Sequence, residues 1–198
     1  ECQVYTSENN SWLFEFPSLP KGRFNSVCFV YRDSLYVFGG TDNSSNMNEI
    51  VRYDLSTQNS GEWTTIAKVN EANQRGGVAF VVEDKVYAGL GEKSNGIRNG
   101  FYVSSDSLTK WELIPSIPSQ LGVISSGVYD EQKKSFFMID NDGKIWEYNL
   151  TTEQWTSRSL WIRMKNYHMF MLDGSIYILG QDIYQKNKFT VYNPIWDN

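Results

Sequence analysis

The feature that most constrains this chain is a recurrence of tryptophan. Trp12, Trp63, Trp111, Trp155 and Trp196 follow one another at intervals of roughly 40 to 50 residues, the spacing expected of a repeated supersecondary unit. A tyrosine precedes each of them: Tyr5, Tyr53, Tyr102, Tyr148 and Tyr192. Between successive tryptophans stands a short run rich in β-branched and aromatic residues: Ser34–Phe38, Lys85–Gly89, Ser135–Ile139 and Ser175–Leu179. Polar turn residues introduce each run, as Arg32-Asp33, Glu83-Asp84, Gln132-Lys133-Lys134 and Asp173-Gly174 do, and a further apolar stretch lies ahead of each turn.

Two β-rich runs joined by a tight polar turn form a hairpin. The tyrosine segment, such as Glu49–Leu55, supplies a third strand, and the residues after the tryptophan, such as Trp63–Ile66, supply a fourth. A four-stranded sheet of this size cannot bury both faces alone, and stacking radially on copies of itself solves the problem. The sequence therefore predicts an all-β propeller over residues 1–198, with blades at 23–66, 75–115, 123–157 and 166–193 and a partial blade at 1–19. The seven Trp, twelve Tyr and eleven Phe supply the packing. A buried aromatic hides roughly 150–250 Å², or about 4–6 kcal/mol at about 25 cal/mol per Å². Trp63, Trp111, Trp155, Tyr53, Tyr102 and Tyr148 are accordingly read as inter-blade packing, with the tryptophans largely buried at equivalent places. Trp146, Trp161 and Tyr184 fall outside that grid.

Arg23 and Ser26, then Leu35-Tyr36-Val37-Phe38-Gly39-Gly40, then Tyr53-Asp54-Leu55-Ser56-Thr57 and Trp63 resemble a kelch repeat. The later copies replace the glycine pair with Leu90-Gly91, Asp140-Asn141 and Gly180-Gln181, so altered second-to-third loops are expected there. The resemblance runs over nearly the whole chain. It implies either a small closed propeller, in which Leu13–Phe16 finishes the last blade, or a fragment of a six- or seven-bladed one.

A formal net charge of −5, with no cluster of Lys and Arg, argues against a nucleic-acid partner, which must neutralise phosphates. The basic residues from Arg158 to Lys165 read as a solvated strand and loop. Two cysteines, Cys2 and Cys28, and the single His168 exclude the usual zinc frameworks. One imidazole also cannot furnish the ligands of the copper oxidases in the resembled family, so no metal or cofactor is expected. No apolar run is long enough to span a membrane. His168 falls in the first strand of the fourth repeat, where a packed core or channel position is expected.

Candidate ligand contacts follow from position. Residues entering the innermost strand and residues in the second-to-third loop converge on one propeller face. These are Arg23, Arg75 and the Arg163–Asn166 segment, with Asp42, Asn46, Glu92 and Asn95, and with His168 beside them. Arg23 and Arg75 are read as occupying matching places, thirteen residues ahead of Tyr36 and twelve ahead of Tyr87, and each offers a planar fork suited to carboxylates. Local pairing with Asp or Glu is the competing reading. The resemblance implies a non-catalytic recognition module for a protein segment or a glycan, in a secreted or cell-surface setting, with a cytoplasmic one left open. The alternatives are a sugar-modifying enzyme akin to the sialic acid mutarotases of the family, with Glu92 and Arg75 as its polar pair, and a structural module of a larger surface protein.

Overall fold

The computed structural model describes residues 2–57, 60–105, 107–161, 164–182 and 184–193. They form five antiparallel sheets, and the helical content is two short 3-10 turns, Leu55–Thr57 and Asn70–Ala72. The first sheet is a hairpin of β1 (Cys2–Thr6) and β2 (Ser11–Phe16). Three four-stranded sheets follow. One contains β3 (Val27–Tyr31), β4 (Ser34–Phe38), β5 (Glu49–Asp54) and β6 (Thr64–Lys68). The next contains β7 (Val78–Val82), β8 (Lys85–Gly89), β9 (Phe101–Ser104) and β10 (Glu112–Leu113). The third contains β11 (Ile124–Asp130), β12 (Ser135–Asp140), β13 (Lys144–Asn149) and β14 (Gln154–Trp161). The last sheet has three strands, β15 (Lys165–Leu172), β16 (Ser175–Gln181) and β17 (Asn187–Tyr192). Strand order in every sheet follows chain order, as in propeller blades built from successive hairpins.

The polar turns do what the sequence asks of them. Arg32 and Asp33 both take positive φ, as do Asp173 and Gly174, the signature of two-residue hairpins whose twist matches the flanking strands. The first strands of successive sheets neighbour one another, β3 with β7, β7 with β11 and β11 with β15. Each neighbouring pair of sheets traps one core cluster. Phe29, Tyr36 and Phe38 pack on Val86 and Ala88. Val78, Phe80 and Phe101 pack on Phe136 and Met138. Phe137, Ile139 and Ile145 pack on Met169, Ile176 and Ile178. Each sheet thus has a front face toward the next sheet and a back face toward the one before.

Strand register identifies equivalent residues. The pairs Phe29↔Tyr36, Phe80↔Tyr87, Val128↔Phe137 and Phe170↔Tyr177 occupy one front-face place in the four sheets. The tryptophans are equivalent as well: Trp155 lies opposite Tyr148, and Trp63 contacts Tyr53 with ring centroids 5.3 Å apart. All three are half-buried rather than fully buried, because each lies at the outer edge of its sheet with one flank in solvent. The tyrosine assignment shifts in the second sheet. Val86 pairs with Ser104 as Leu35 pairs with Tyr53, so Ser104 holds the tyrosine place and Tyr102 sits where Val51 and Trp146 do.

Other expectations also change. Strand β2 pairs with β1, so Leu13–Phe16 does not complete the last sheet. Trp146 belongs to the repeat grid and is buried, its indole donating to Asp140 at 2.8 Å. Tyr184 is exposed. Arg158 is half-buried and ion-paired with Glu147, not solvated. Arg163, Trp196 and the side chains of Cys2 and Trp161 lie outside what is described.

The glycine pair shows why the first repeat keeps it. A Cβ on Gly39 would stand 2.5 Å from the Ala72 carbonyl oxygen and 2.8 Å from that of Gln74. The linker to the second sheet crosses there, and Gly40 donates its amide to Gln74 at 2.8 Å. At the same place in the second sheet, Leu90 adopts the left-handed φ of 63° that Gly39 adopts at 64°, with its side chain fully buried. In the third sheet, Asp140 holds the place and accepts bonds from the Asp142 and Lys144 amides, closing a tight turn. Replacing Gly39 with Ala is therefore expected to destabilise the fold by more than about 1 kcal/mol, read as a lower urea midpoint at unchanged m-value.

Candidate functional site

The second-to-third loops of the first two full sheets, where the arginine rim is expected, meet through Asn46 and Glu92. Thr41 bridges Phe24 and Asn46 in one loop, and Glu92 bridges Arg75 and Arg98 in the other. This pairing corrects the expected match of the arginines. Arg75 is equivalent to Phe24, both exposed, and Arg23 is equivalent to Gln74. A one-residue offset along a strand reverses the face, so Arg23 and Arg75 do not share an orientation.

Arg23 is structural. Its side chain is 1% exposed, pairs with Glu49 at 3.0 Å, and donates to the Gly39 carbonyl at 3.2 Å. Gln74 does the equivalent work in the second sheet, accepting from the Gly91 amide and from Asn99. Arg75 is exposed, but Glu92 occupies its fork with contacts of 2.9 and 3.3 Å. That hydrogen-bonded carboxylate raises the Arg75 pKa further above its ordinary value. Asn46 donates to the Glu92 carbonyl at 2.8 Å, so Asn46, Glu92 and Arg75 do converge, tied to one another.

Asp42 and Asn95 shape their loops. Asp42 accepts from the Ser44 hydroxyl and from the Ser44 and Ser45 amides, and pairs with Lys21 at 2.6 Å. The Lys21 ammonium first, and then these donors, hold its carboxyl well below the usual carboxylate range. Asn95 accepts from the Ile97 amide. Asn166 lies elsewhere, bonded to Gln181 on the last sheet. His168 is exposed on the front of that sheet, and is not the core or channel residue expected. Among the described residues, no hydrogen bond or ion pair joins Asn166 or His168 to the arginine rim.

Sequence reasoning missed a second feature. A cleft of about 640 Å³ opens between the outer strands of the second and third full sheets. Lys85, Lys110, Glu112 and Glu153 line it with Tyr87 and Tyr148. Among the described residues, no ion pair within 4 Å engages any of those four charges. Burial, and then the charges of Tyr129 and Glu153, raise the Tyr87 phenol. Burial, followed by Glu153, does the same for Tyr148. Both phenols therefore stay protonated donors through neutral pH. The sequence signal was present, since Tyr87 and Tyr148 stand in successive repeats, but only register shows that they face one gap.

The family model described as Kelch motif matches residues 22–70, the first full sheet and the linker that leaves it. No curated protein matches the chain. No helix is long and apolar enough to cross a membrane.

Two outcomes follow from the rim. Arg23→Ala is expected to cost about 1.5–3 kcal/mol, because it removes a buried guanidinium from Glu49 and the Gly39 carbonyl and leaves them only Lys68 at 3.5 Å and the Ser26 hydroxyl at 3.3 Å, whereas Arg75→Ala should leave the denaturation midpoint nearly unchanged. The depressed Asp42 pKa contributes stability that is complete above the ordinary aspartate value near 4 and is lost as pH falls toward the native value. Asp42→Asn should therefore lower stability at neutral pH and flatten the acid limb of the stability-against-pH curve, so that the two curves converge as pH falls toward the native value.

Proposed function

We propose that this chain, which carries a kelch repeat over residues 22–70, is a recognition module that grips a protein segment in the cleft between its second and third full sheets. The observation that carries the reading is the set of four charges, none in an ion pair among the described residues, and two phenol donors gathered around one opening of about 640 Å³. Clefts of roughly 300–1,000 Å³ with a few convergent polar groups are typical ligand sites. The arginine rim is a weaker candidate, because a ligand carboxylate there would have to displace Glu92 from Arg75.

The charges define the complement. Lys85 and Lys110 suit acidic side chains, and Glu112 and Glu153 suit basic ones. A peptide of mixed charge can satisfy both while its backbone meets the phenols and the hydroxyls of Ser107 and Thr109, which bond each other at 2.7 Å. An uncharged glycan would leave the lysines and glutamates unmatched. All four charged side chains are exposed, so the contact gains specificity and encounter rate more than raw affinity.

The test is selection of binders from a peptide library on the full chain, followed by calorimetry with Lys110→Glu and Glu153→Lys. Each charge reversal should weaken a selected peptide by about tenfold or more without changing the circular dichroism spectrum. Peptides that bind both variants as well as the unaltered chain, or a glycan array that responds where peptides do not, would contradict the reading.

A further inference from the structure

The repeat tyrosine is satisfied in the first full sheet and left open in the third. Tyr53 is fully buried, and its hydroxyl accepts from the Gly61 amide at 3.1 Å. Tyr148 holds the same place, opposite Phe136 as Tyr53 is opposite Leu35. Its ring is packed, 4% exposed and 4.8 Å from that of Trp155. Among the described residues, however, no hydrogen bond engages its hydroxyl, which opens on the cleft between the second and third full sheets. The cause lies in the turn that follows. Nine residues separate Tyr53 from Trp63, but six separate Tyr148 from Trp155, so the shorter turn lacks the segment that carries Gly61. Asn149 closes it by accepting from the Thr151 and Thr152 amides, and Glu153 follows, exposed, at the lip of the cleft.

Tyr87 lines the same opening from the second full sheet. Both rings rest on Phe136, with centroids 5.0 Å from it for Tyr87 and 6.4 Å for Tyr148, so one buried ring supports both phenols. The charges around them have one sign. After burial, Tyr129, Glu153, Glu83 and Asp84 raise the Tyr87 phenol, and Glu153 and Tyr87 raise that of Tyr148. The cleft lysines, Lys85 and Lys110, act on neither phenol. Among the described residues, Glu83, Asp84 and Glu153 take part in no ion pair. Nor do any three His, Cys, Asp or Glu side chains among them gather closely enough to hold a metal ion. The field is therefore suited to a cation carried in on a side chain rather than to a bare ion.

We propose that Tyr87, Tyr148 and Glu153 form a specificity pocket that takes an arginine side chain of the bound segment, an inference that rests on the reading of the cleft as a peptide site. A neutral phenol accepts as well as donates, so the two hydroxyls and the Glu153 carboxylate offer acceptors to a single cation. A guanidinium matches them better than an ammonium. It is planar, carries five donors in a fixed fork, sheds water more readily and stacks on aromatic rings. Lys85 and Lys110, at the same cleft but outside this field, remain for acidic residues of the same segment.

The experiment is calorimetry of the full chain with library-selected peptides, each synthesised again with citrulline, the uncharged isostere, in place of arginine. The selected peptides should share an arginine, and citrulline there should weaken binding by about fivefold or more. With Glu153→Gln the same replacement should cost about twofold or less, because the charge it answers is gone. Tyr148→Phe keeps the packed ring and removes only the hydroxyl, so it should fold as before and weaken the arginine peptide more than the citrulline one. Peptides that lose affinity for Lys110→Glu yet lack arginine, or tolerate citrulline, would overturn this inference and leave the cleft as the peptide site. A citrulline loss that persists in full with Glu153→Gln would place the arginine elsewhere and overturn it too. Peptides that bind Lys110→Glu and Glu153→Lys unchanged would remove the peptide reading of the cleft and this inference with it.

Discussion

The contact on which the array depends is the tryptophan at the start of each fourth strand, laid against the front face of the sheet before it. Trp111 on Phe38 and Trp155 on Phe101 tie outer strands across the gaps, while the first strands neighbour one another along the inner side. A four-stranded sheet has no interior of its own. Its aliphatic and aromatic residues alternate between two faces, and both become core only when a neighbour arrives. The three clusters of buried residues are therefore all inter-sheet clusters, and Phe101 alone touches Phe80, Tyr87, Phe136, Tyr148 and Trp155. Stability is shared between neighbours, and the function-bearing features lie where two sheets meet.

That arrangement explains the contrast between the two polar regions. At the arginine rim the loops of adjacent sheets are close enough to satisfy one another. Asn46 reaches the Glu92 backbone, Glu92 holds Arg75, and the Asn25 carbonyl accepts from the Gly76 amide. At the outer strands of the second and third full sheets a cleft of about 640 Å³ opens, and among the described residues no ion pair engages its charges. The second sheet contributes to this, because β10 spans only Glu112–Leu113 and Ser104 stands where its neighbours carry a tyrosine. A short edge strand and a small residue leave room that a full tyrosine ladder would fill.

The repeat, the hairpins and the boundaries of the sheets were legible in the sequence, because turn chemistry and apolar runs act locally. Residue pairs one step apart were not. Arg23 and Arg75 look equivalent as the arginines ahead of Tyr36 and Tyr87, yet they stand thirteen and twelve residues before them, and the strand bridges align Arg75 with Phe24 and Arg23 with Gln74. Side chains on a strand alternate faces, so an offset of one residue separates a buried structural guanidinium from an exposed one. Tyr102 misled in the same way, standing two residues from the place that its spacing to Trp111 implied. Leu90 was legible as a lost glycine but not as a residue holding the same left-handed backbone, since its buried side chain offsets that strain. The cleft was invisible because it is formed by residues of two sheets, and no spacing in the chain measures the gap between them.

The most direct test of this account is a double-mutant cycle between Phe101 and Trp155, in neighbouring sheets. Urea denaturation of Phe101→Ala, Trp155→Ala and the double variant gives the coupling between the rings. If inter-sheet aromatic contact holds the array, the coupling should be about 0.5–1.5 kcal/mol. Free-energy losses that add to within about 0.3 kcal/mol would mean that the two sheets are stabilised independently, and would contradict the account.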